Sequence, residues 1–119
     1  MTTQEIAERL AAYCRKADWE GAHKSLYAQD AKSVEAYSTP NFEKETIGLE
    51  AIYQKAKKFD SMVEKIHSIE VSDPLVAGNS IAFTMKMDVT MKGYGRMSEP
   101  ELCVYQVKDG KIVSEEFFV

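Results

Sequence analysis

Histidine and cysteine side chains are the first candidates for chemistry in this 119-residue sequence, which contains two of each. Cys14 and Cys103 lie far apart, and the sequence holds no short-spaced pair such as Cys-x-x-Cys or His-x-x-x-His. It also lacks a glycine-rich phosphate loop. We therefore predict no metal site and no cofactor, with both cysteines reduced in the core.

His67 has the better position for proton transfer, because it lies near the start of the first long predicted strand. There it could exchange protons with a carboxylate across a pocket. The alternative is a partly buried histidine that is hydrogen-bonded to backbone. His23 stands beside Lys24 on a predicted helix and is expected at the surface.

Charge and hydropathy exclude two classes of partner. Fifteen Lys and Arg against nineteen Asp and Glu leave a net charge of -4, and no basic run is longer than Lys57-Lys58. We therefore predict no nucleic-acid binding. No stretch of eighteen apolar residues occurs, so no membrane partner is predicted. Residues 1–5 have neither the basic start nor the apolar stretch of a secretory signal, which indicates a cytoplasmic protein.

Helical periodicity organises the first half of the chain. Thr2 and Glu5 have the spacing of a capping box, and apolar residues follow at helical intervals to Lys16 or Ala17. Asp18 is predicted to cap a second helix. The apolar face of that helix holds Trp19, Ala22, Leu26 and Tyr27.

The middle of the chain is predicted to hold a short extended segment, a loop and a third helix. The extended segment covers residues 31–37, and a polar, mobile loop runs from the break at 39–41 to Glu45. The helix opens near Gly48. Its lysines at positions 55, 57 and 58 are predicted to face solvent.

After the third helix the period changes from 3.6 to 2 residues. Alternation is strict from Ile81 to Met91, which predicts a long strand with one buried face. Turns at 78–79, 92–95 and 108–111 separate it from segments 75–76, 96–107 and 112–119. Three helices followed by an antiparallel meander predict an α+β fold.

Four segments resemble, in their order and spacing, the SnoaL-like branch of the nuclear transport factor 2-like superfamily. They are Ala17–Gly21, Leu26–Ala31, Gly48–Ile52 and Val107–Val113. The resemblance covers the whole chain, so residues 1–119 are identified as a single SnoaL-like domain. It implies a cystatin-like cone, in which a curved, mostly antiparallel sheet wraps three N-terminal helices around one apolar pocket. Members include ketosteroid isomerases, polyketide cyclases, dehydratases and proteins without chemistry, so the fold does not specify the function.

The resemblance draws attention to Glu35. Counted from Asp30-Ala31, it falls where the isomerases of the superfamily place the carboxylate that moves a proton at a carbon next to a carbonyl. An apolar pocket disfavours the charged form of a carboxylate and makes it a stronger base, so Glu35 is a candidate general base. A solvated glutamate is the alternative.

The oxyanion hole of those isomerases is not reproduced in this sequence. The first helix carries Leu10 in place of the donating tyrosine, with Tyr13 one turn later. Cys103 aligns with the protonated aspartate that is the second donor, and Glu101 lies on the same strand face. We therefore predict no steroid isomerisation, and His67 or Glu101 as the partner of Glu35.

A stripe of apolar residues on the long strand aligns with the face that lines the isomerase pocket. Methionine accepts varied apolar ligands, although ordinary core packing predicts the same stripe. Together with tyrosine hydroxyls and one thiol, it makes up the candidate ligand-binding set. The members are Tyr13, Tyr27, Tyr53, Phe83, Met85, Met87 and Cys103.

Two functions are predicted as alternatives. The first is an enzyme of isomerase, cyclase or hydratase type that uses Glu35 as a base on a small apolar molecule. The second is a non-catalytic module that binds such a molecule or forms a dimer. A homodimer through the outer sheet face is expected in addition, because Tyr105 or Val104 and Phe117 or Phe118 would otherwise be exposed there.

Overall fold

The structure, a computed structural model, describes residues 1–119 as three helices packed against one curled sheet. The elements follow the order α1 (Thr3–Arg15), α2 (Trp19–Leu26), β1 (Tyr27–Val34), β2 (Glu45–Ile47), α3 (Leu49–Met62), β3 (Val63–Val71), β4 (Leu75–Ala77), β5 (Ser80–Met91), β6 (Gly95–Met97), β7 (Pro100–Lys108) and β8 (Lys111–Phe118). This arrangement confirms the predicted α+β class and the three N-terminal helices. None of the helices is both long and apolar enough to cross a membrane.

The two predicted caps hold the helical hairpin in place. The Thr2 N–H donates to Glu5 Oε1 at 3.0 Å, and the Glu5 N–H donates to Thr2 Oγ1 at 3.1 Å, so the capping box is confirmed. Asp18 Oδ1 accepts from the Gly21 N–H at 2.9 Å. Each such cap stabilises its helix by about 1 kcal/mol. Gly21 also has to be small, because an added Cβ would lie 2.7 Å from the Tyr13 ring.

The sheet has the strand order β2-β1-β8-β7-β5-β3. The β1 and β8 strands run parallel, and every other neighbouring pair is antiparallel. The long β5 strand lies between β3 and β4 on one side and β7 and β6 on the other. Its alternate residues point inward against the helices, as the period of 2 predicts.

Four details of the elements differ from the sequence predictions. Tyr27 begins β1 instead of ending α2, because the chain extends there to pair with Ile112 of β8. Glu45, the predicted end of the loop, begins β2 instead, since the chain pairs there with β1 and Thr46 lies opposite Ser33. The first long strand begins at Val63, directly after α3, and the segment 96–107 is split into β6 and β7.

The apolar core lies between the three helices and the inner sheet face. Its largest fully buried apolar side chains are Ile6, Leu10, Leu26, Ile52, Ile81 and Ile112. The three helices do not fill the whole concave face of the sheet. A cavity therefore remains beside α3, and strands β1, β8, β7 and β5 supply its other wall.

Candidate functional site

The cavity has a volume of about 510 Å³, within the usual range of small-molecule sites. Its wall is mostly apolar, and three of the predicted ligand-binding residues, Tyr27, Met85 and Met87, are part of it. The other methionines in the wall are Met62, Met91 and Met97, and the phenylalanines are Phe42, Phe59 and Phe117. Methionine side chains adapt to irregular shapes, so this wall suits apolar molecules of varied outline.

Three carboxyl groups line the same cavity. Glu35 follows the end of β1, Glu115 lies on β8 and Glu101 lies on β7. These strands are neighbours in the sheet, and all three side chains point to its inner face. The structure thus brings Glu35 and Glu101 together at one pocket. No group of three His, Cys, Asp or Glu side chains in residues 1–119 is arranged to hold a metal ion.

A chain of hydrogen bonds leads from the core to Glu35. The Tyr27 hydroxyl donates to Glu115 Oε1, and the Ser33 hydroxyl donates to Glu115 Oε2 at 2.6 Å. The Lys55 ammonium donates to Ser33 Oγ at 2.6 Å and to Glu35 Oε1 at 3.2 Å. Because Ser33 gives its only proton to Glu115, its lone pair is directed towards Lys55.

Lys55 therefore does not face solvent as its helix position predicted. Its side chain is 15% exposed, and the ammonium lies 5.8 Å from the centre of the Phe117 ring. Lys55 stands three residues after the buried Ile52, on the side of α3 that faces the sheet. The half-buried Glu35 carboxylate pairs with it directly, and the buried Glu115 carboxylate is linked to it through Ser33.

Glu101 differs from the other two carboxyl groups because no side-chain hydrogen bond joins it to the protein. Burial first, and then the negative charges of Glu35 and Glu115, raise the pKa of Glu101 from 4.5 to about 7. The charge of Lys55 opposes this effect. Near neutral pH the Glu101 carboxyl is therefore partly protonated, and it can give or accept a proton.

His23 is buried and lines the cavity, so the prediction of a surface residue was wrong. The helix turns this side chain inward, where its ring meets the Tyr27 ring edge-on at 4.8 Å between centroids. Burial first, and then the charge of Lys55, lower the pKa of His23 to about 4. The ring is consequently neutral at pH 7.

His67 lies outside the cavity, on the outer face of β3. Its Nε2 is 2.7 Å from Thr90 Oγ1, and the side chain is exposed. Simple alternation with Ile69 and Val71 would point it inward. The pairing of β3 with β5 is irregular between Ile66 and Ser68, and this irregularity turns the His67 side chain outward. The structure therefore does not place His67 opposite Glu35 or Glu101.

Four predicted ligand-binding residues do not line the cavity. The Tyr13 hydroxyl is 3.0 Å from Ser25 Oγ within the helical hairpin, and the Tyr53 ring lies under the Lys57 ammonium. Phe83 packs in the core at 5.4 Å from the Tyr105 ring. Cys103 is fully buried, and this burial raises the pKa of its thiol. These four side chains pack in the core or lie at the surface, and none of them contacts the cavity.

Comparisons with known proteins identify the family and the fold of the chain. A family model described as a SnoaL-like domain matches residues 1–119. No curated protein matches the chain. A solved structure of a provisionally named SnoaL-like polyketide cyclase [carbohydrate phosphatase] from Mesorhizobium loti is 34% identical, with a TM-score of 0.91 and 100% of both chains covered.

Two more distant structures share the fold. A protein of unknown function with a cystatin-like fold from Xanthomonas campestris is 18% identical, with a TM-score of 0.84, 99% of this chain and 90% of that chain covered. A protein with a ketosteroid isomerase-like fold from Catenulispora acidiphila, in complex with trimethylamine, is 19% identical. Its TM-score is 0.75, with 99% of this chain and 87% of that chain covered. At these identities the likeness concerns the fold alone.

Proposed function

Because the chain belongs to the SnoaL-like domain family of the nuclear transport factor 2-like superfamily, we propose that it binds a small, uncharged, mostly apolar molecule and transfers a proton on it. The Met-rich wall around a cavity of about 510 Å³ supports the ligand class. The charges support it as well. Three carboxyl groups face one ammonium, and Glu35 and Ser33 already engage that ammonium, so an anionic ligand would be repelled.

The observation that carries the proposed chemistry is the unequal environment of two carboxyl groups at one apolar cavity. Glu35 is ion-paired with Lys55, whereas Glu101 has no such partner and a pKa of about 7. Carboxyl groups that differ in this way can serve as base and acid.

The proposed proton transfer is the enolisation of a ketone. Glu35 takes the proton from a carbon next to a carbonyl, and the electron pair of that C–H bond forms a C=C bond. The carbonyl oxygen then accepts the proton of Glu101, which gives an enol. Isomerisation, cyclisation and dehydration of apolar carbonyl compounds can all begin with this step.

Deuterium exchange tests the proposed chemistry directly. The probe is 2-tetralone, a neutral aromatic ketone with an acidic C–H next to its carbonyl, and proton NMR in D₂O measures loss of that signal. We expect the protein to accelerate exchange over buffer. Glu35→Gln and Glu101→Gln should each reduce the acceleration roughly 100-fold or more, the usual contribution of a general acid or base.

Glu116→Gln is the matched control for this experiment, because Glu116 is exposed on the opposite face of β8 from Glu115. It should exchange 2-tetralone at the wild-type rate. If 2-tetralone binds but the protein gives no acceleration, the catalytic proposal is wrong and the non-catalytic binding alternative is favoured.

A thermal-shift measurement tests the ligand class separately. At a hundred times its dissociation constant, 2-tetralone should stabilise the fold by about 2.7 kcal/mol, whereas 2-naphthoate, an aromatic anion of similar size, should give no shift. Met87→Lys places an ammonium in the cavity wall and should abolish the shift. Lys86→Met, on the outer face of the same strand, should keep it. An equal shift with both compounds would contradict the apolar-ligand proposal.

We further propose that two copies associate through the outer sheet face. Leu102 and Phe118 are register partners there, with 41% and 46% of their surface exposed, while Tyr105 and Phe117 point inward. Sedimentation at micromolar concentration should show twice the 13.4 kDa chain mass. Leu102→Glu should restore the monomer, because it places a charge in the centre of this apolar pair. A wild-type monomer would contradict the proposal.

A further inference from the structure

His23 is a buried polar group for which the proposed proton transfer has no use. It is 6% exposed, and its ring lines the cavity. The Nδ1 atom is sealed from solvent and has no hydrogen-bond partner, and no side-chain hydrogen bond of the protein involves the ring. A molecule in the cavity cannot reach the sealed Nδ1, so Nε2 is the ring atom open to a ligand. Because Nε2 has no partner in the protein and the ring lines the cavity, its partner can come from a bound molecule.

The protonation of the ring determines which partner this can be. The imidazole is neutral at pH 7, since burial and the nearby Lys55 charge both disfavour its cationic form. A neutral ring has one N–H and one lone pair. If the proton were on Nδ1, a buried N–H would have no acceptor. A buried N–H without a partner is rarer in proteins than a buried lone pair without one, and it is the less favourable arrangement. The proton therefore belongs on Nε2, where it can reach the cavity.

The position of His23 separates it from the carboxyl groups of the proposed reaction. His23 contacts Tyr27 at the start of β1, whereas Glu35 follows the end of the same strand. Both side chains nevertheless line one cavity. A molecule that fills the cavity can thus present one group to Glu35 and another to His23.

We propose that the Nε2–H of His23 donates a hydrogen bond to a second acceptor oxygen on the ligand. The substrate class, which rests on the proposed function, then becomes an elongated apolar ketone. It carries a further ether or carbonyl oxygen at the end remote from its reacting carbon. His23 acts as a specificity-determining residue, since a purely hydrocarbon tail leaves its N–H unpaired.

A series of aryl ketones tests this assignment. The probes are 2-alkanones that carry a 4-methoxyphenyl group two, three or four carbons from the carbonyl, each paired with its 4-ethylphenyl isostere. Calorimetry gives the affinity of each member. For the chain length that reaches His23 we expect the methoxy compound to bind roughly 3- to 10-fold more tightly than its isostere, the value of one neutral hydrogen bond.

In His23→Phe the ratio of the two affinities should fall to about one, because the variant keeps a ring against Tyr27 but has no N–H to donate. His67→Phe, on the outer sheet face, should keep the wild-type preference. Should His23→Phe fail to fold, ¹⁵N NMR of the wild type supplies the second test. The free protein should show a proton on Nε2, and the methoxy compound but not its isostere should shift the Nε2 resonance.

Either of two affinity results overturns the assignment: a methoxy preference in His23→Phe equal to that in the wild type, or no preference at any chain length. A free protein that carries its proton on Nδ1 would do the same. Failure of every probe to bind the wild type would instead contradict the apolar cavity of the proposed function. The two failures are therefore distinguishable.

Discussion

Replacing Glu101 by Gln is expected to raise the free energy of unfolding at pH 8 by up to about 3 kcal/mol. In the folded state the pKa of Glu101 is about 7, against 4.5 as its ordinary value. Between these two pH values the folded protein binds more protons than the unfolded chain, so stability is lost as the pH rises. The difference between the two pKa values corresponds to a loss of about 3 kcal/mol of stability once Glu101 is ionised in both the folded and the unfolded state. Below pH 4.5 the wild type and the variant should be equally stable.

Urea unfolding at intervals from pH 4 to pH 8.5 measures this effect. The difference between the wild type and Glu101→Gln is the informative quantity, because His23 acts in the opposite direction. The pKa of His23 is lowered from 6.5 to about 4 in the folded state. The neutral ring therefore contributes to the free energy of unfolding above pH 6.5, and this contribution is lost as the pH falls towards 4. Glu116→Gln is the matched control, because it removes one exposed carboxyl group from the same sheet. A difference between the wild type and Glu101→Gln that does not change with pH would indicate that Glu101 is solvated.

The elements of the fold could be predicted from the sequence because their signals are local. A capping box depends on Thr2 and Glu5, and strict alternation from Ile81 to Met91 specifies a strand with one buried face. The boundaries at Tyr27 and Glu45 were wrong because pairing between strands decides them. The partner of Tyr27, Ile112, is distant in the chain and cannot be read from local spacing.

The candidate site was less predictable, because its polar residues are buried only through one another. Lysine and glutamate are usually exposed, and burial becomes favourable when opposite charges and hydrogen bonds compensate them. Ser33 and Glu115 are 82 residues apart in the chain, and Lys55 comes from a third element. The family resemblance indicated Glu35 and strand parity indicated Glu101, whereas nothing local predicted this network.

A weaker signal for the network was nevertheless present. Glu115 lies two residues before Phe117, so alternation puts both on the inner face of the last strand. Lys55 lies at the helical spacing of Ile52. A glutamate and a lysine that both fall on core-facing positions indicate a buried polar network. For His67 the local pattern gave a wrong prediction. Alternation along the strand assigns its side chain to the inner face, but one irregularity in the pairing of β3 with β5 turns it to the outer face.

Lys55→Met is expected to destabilise the protein by about 3 kcal/mol at pH 8, the lower end of the range for removing one partner from a buried ion pair, because the Glu35 side chain is 30% exposed. The variant leaves Glu35 and Ser33 without their donor and removes the one ammonium that faces three carboxyl groups in the cavity. The loss should be smaller at pH 5, because protonation of Glu101 relieves the repulsion among the carboxylates. Urea unfolding at both pH values measures it.

Lys57→Met on the same helix is the matched control, because Lys57 is exposed and lies over the Tyr53 ring. It should change the free energy of unfolding by no more than about 0.5 kcal/mol. The double variant Lys55→Met with Glu35→Gln should recover part of the loss, since it also removes one of the uncompensated charges. Equal losses for Lys55→Met and Lys57→Met would show that the Lys55 ammonium is solvated. Its bonds to Glu35 and Ser33 would then contribute no more than a surface ion pair.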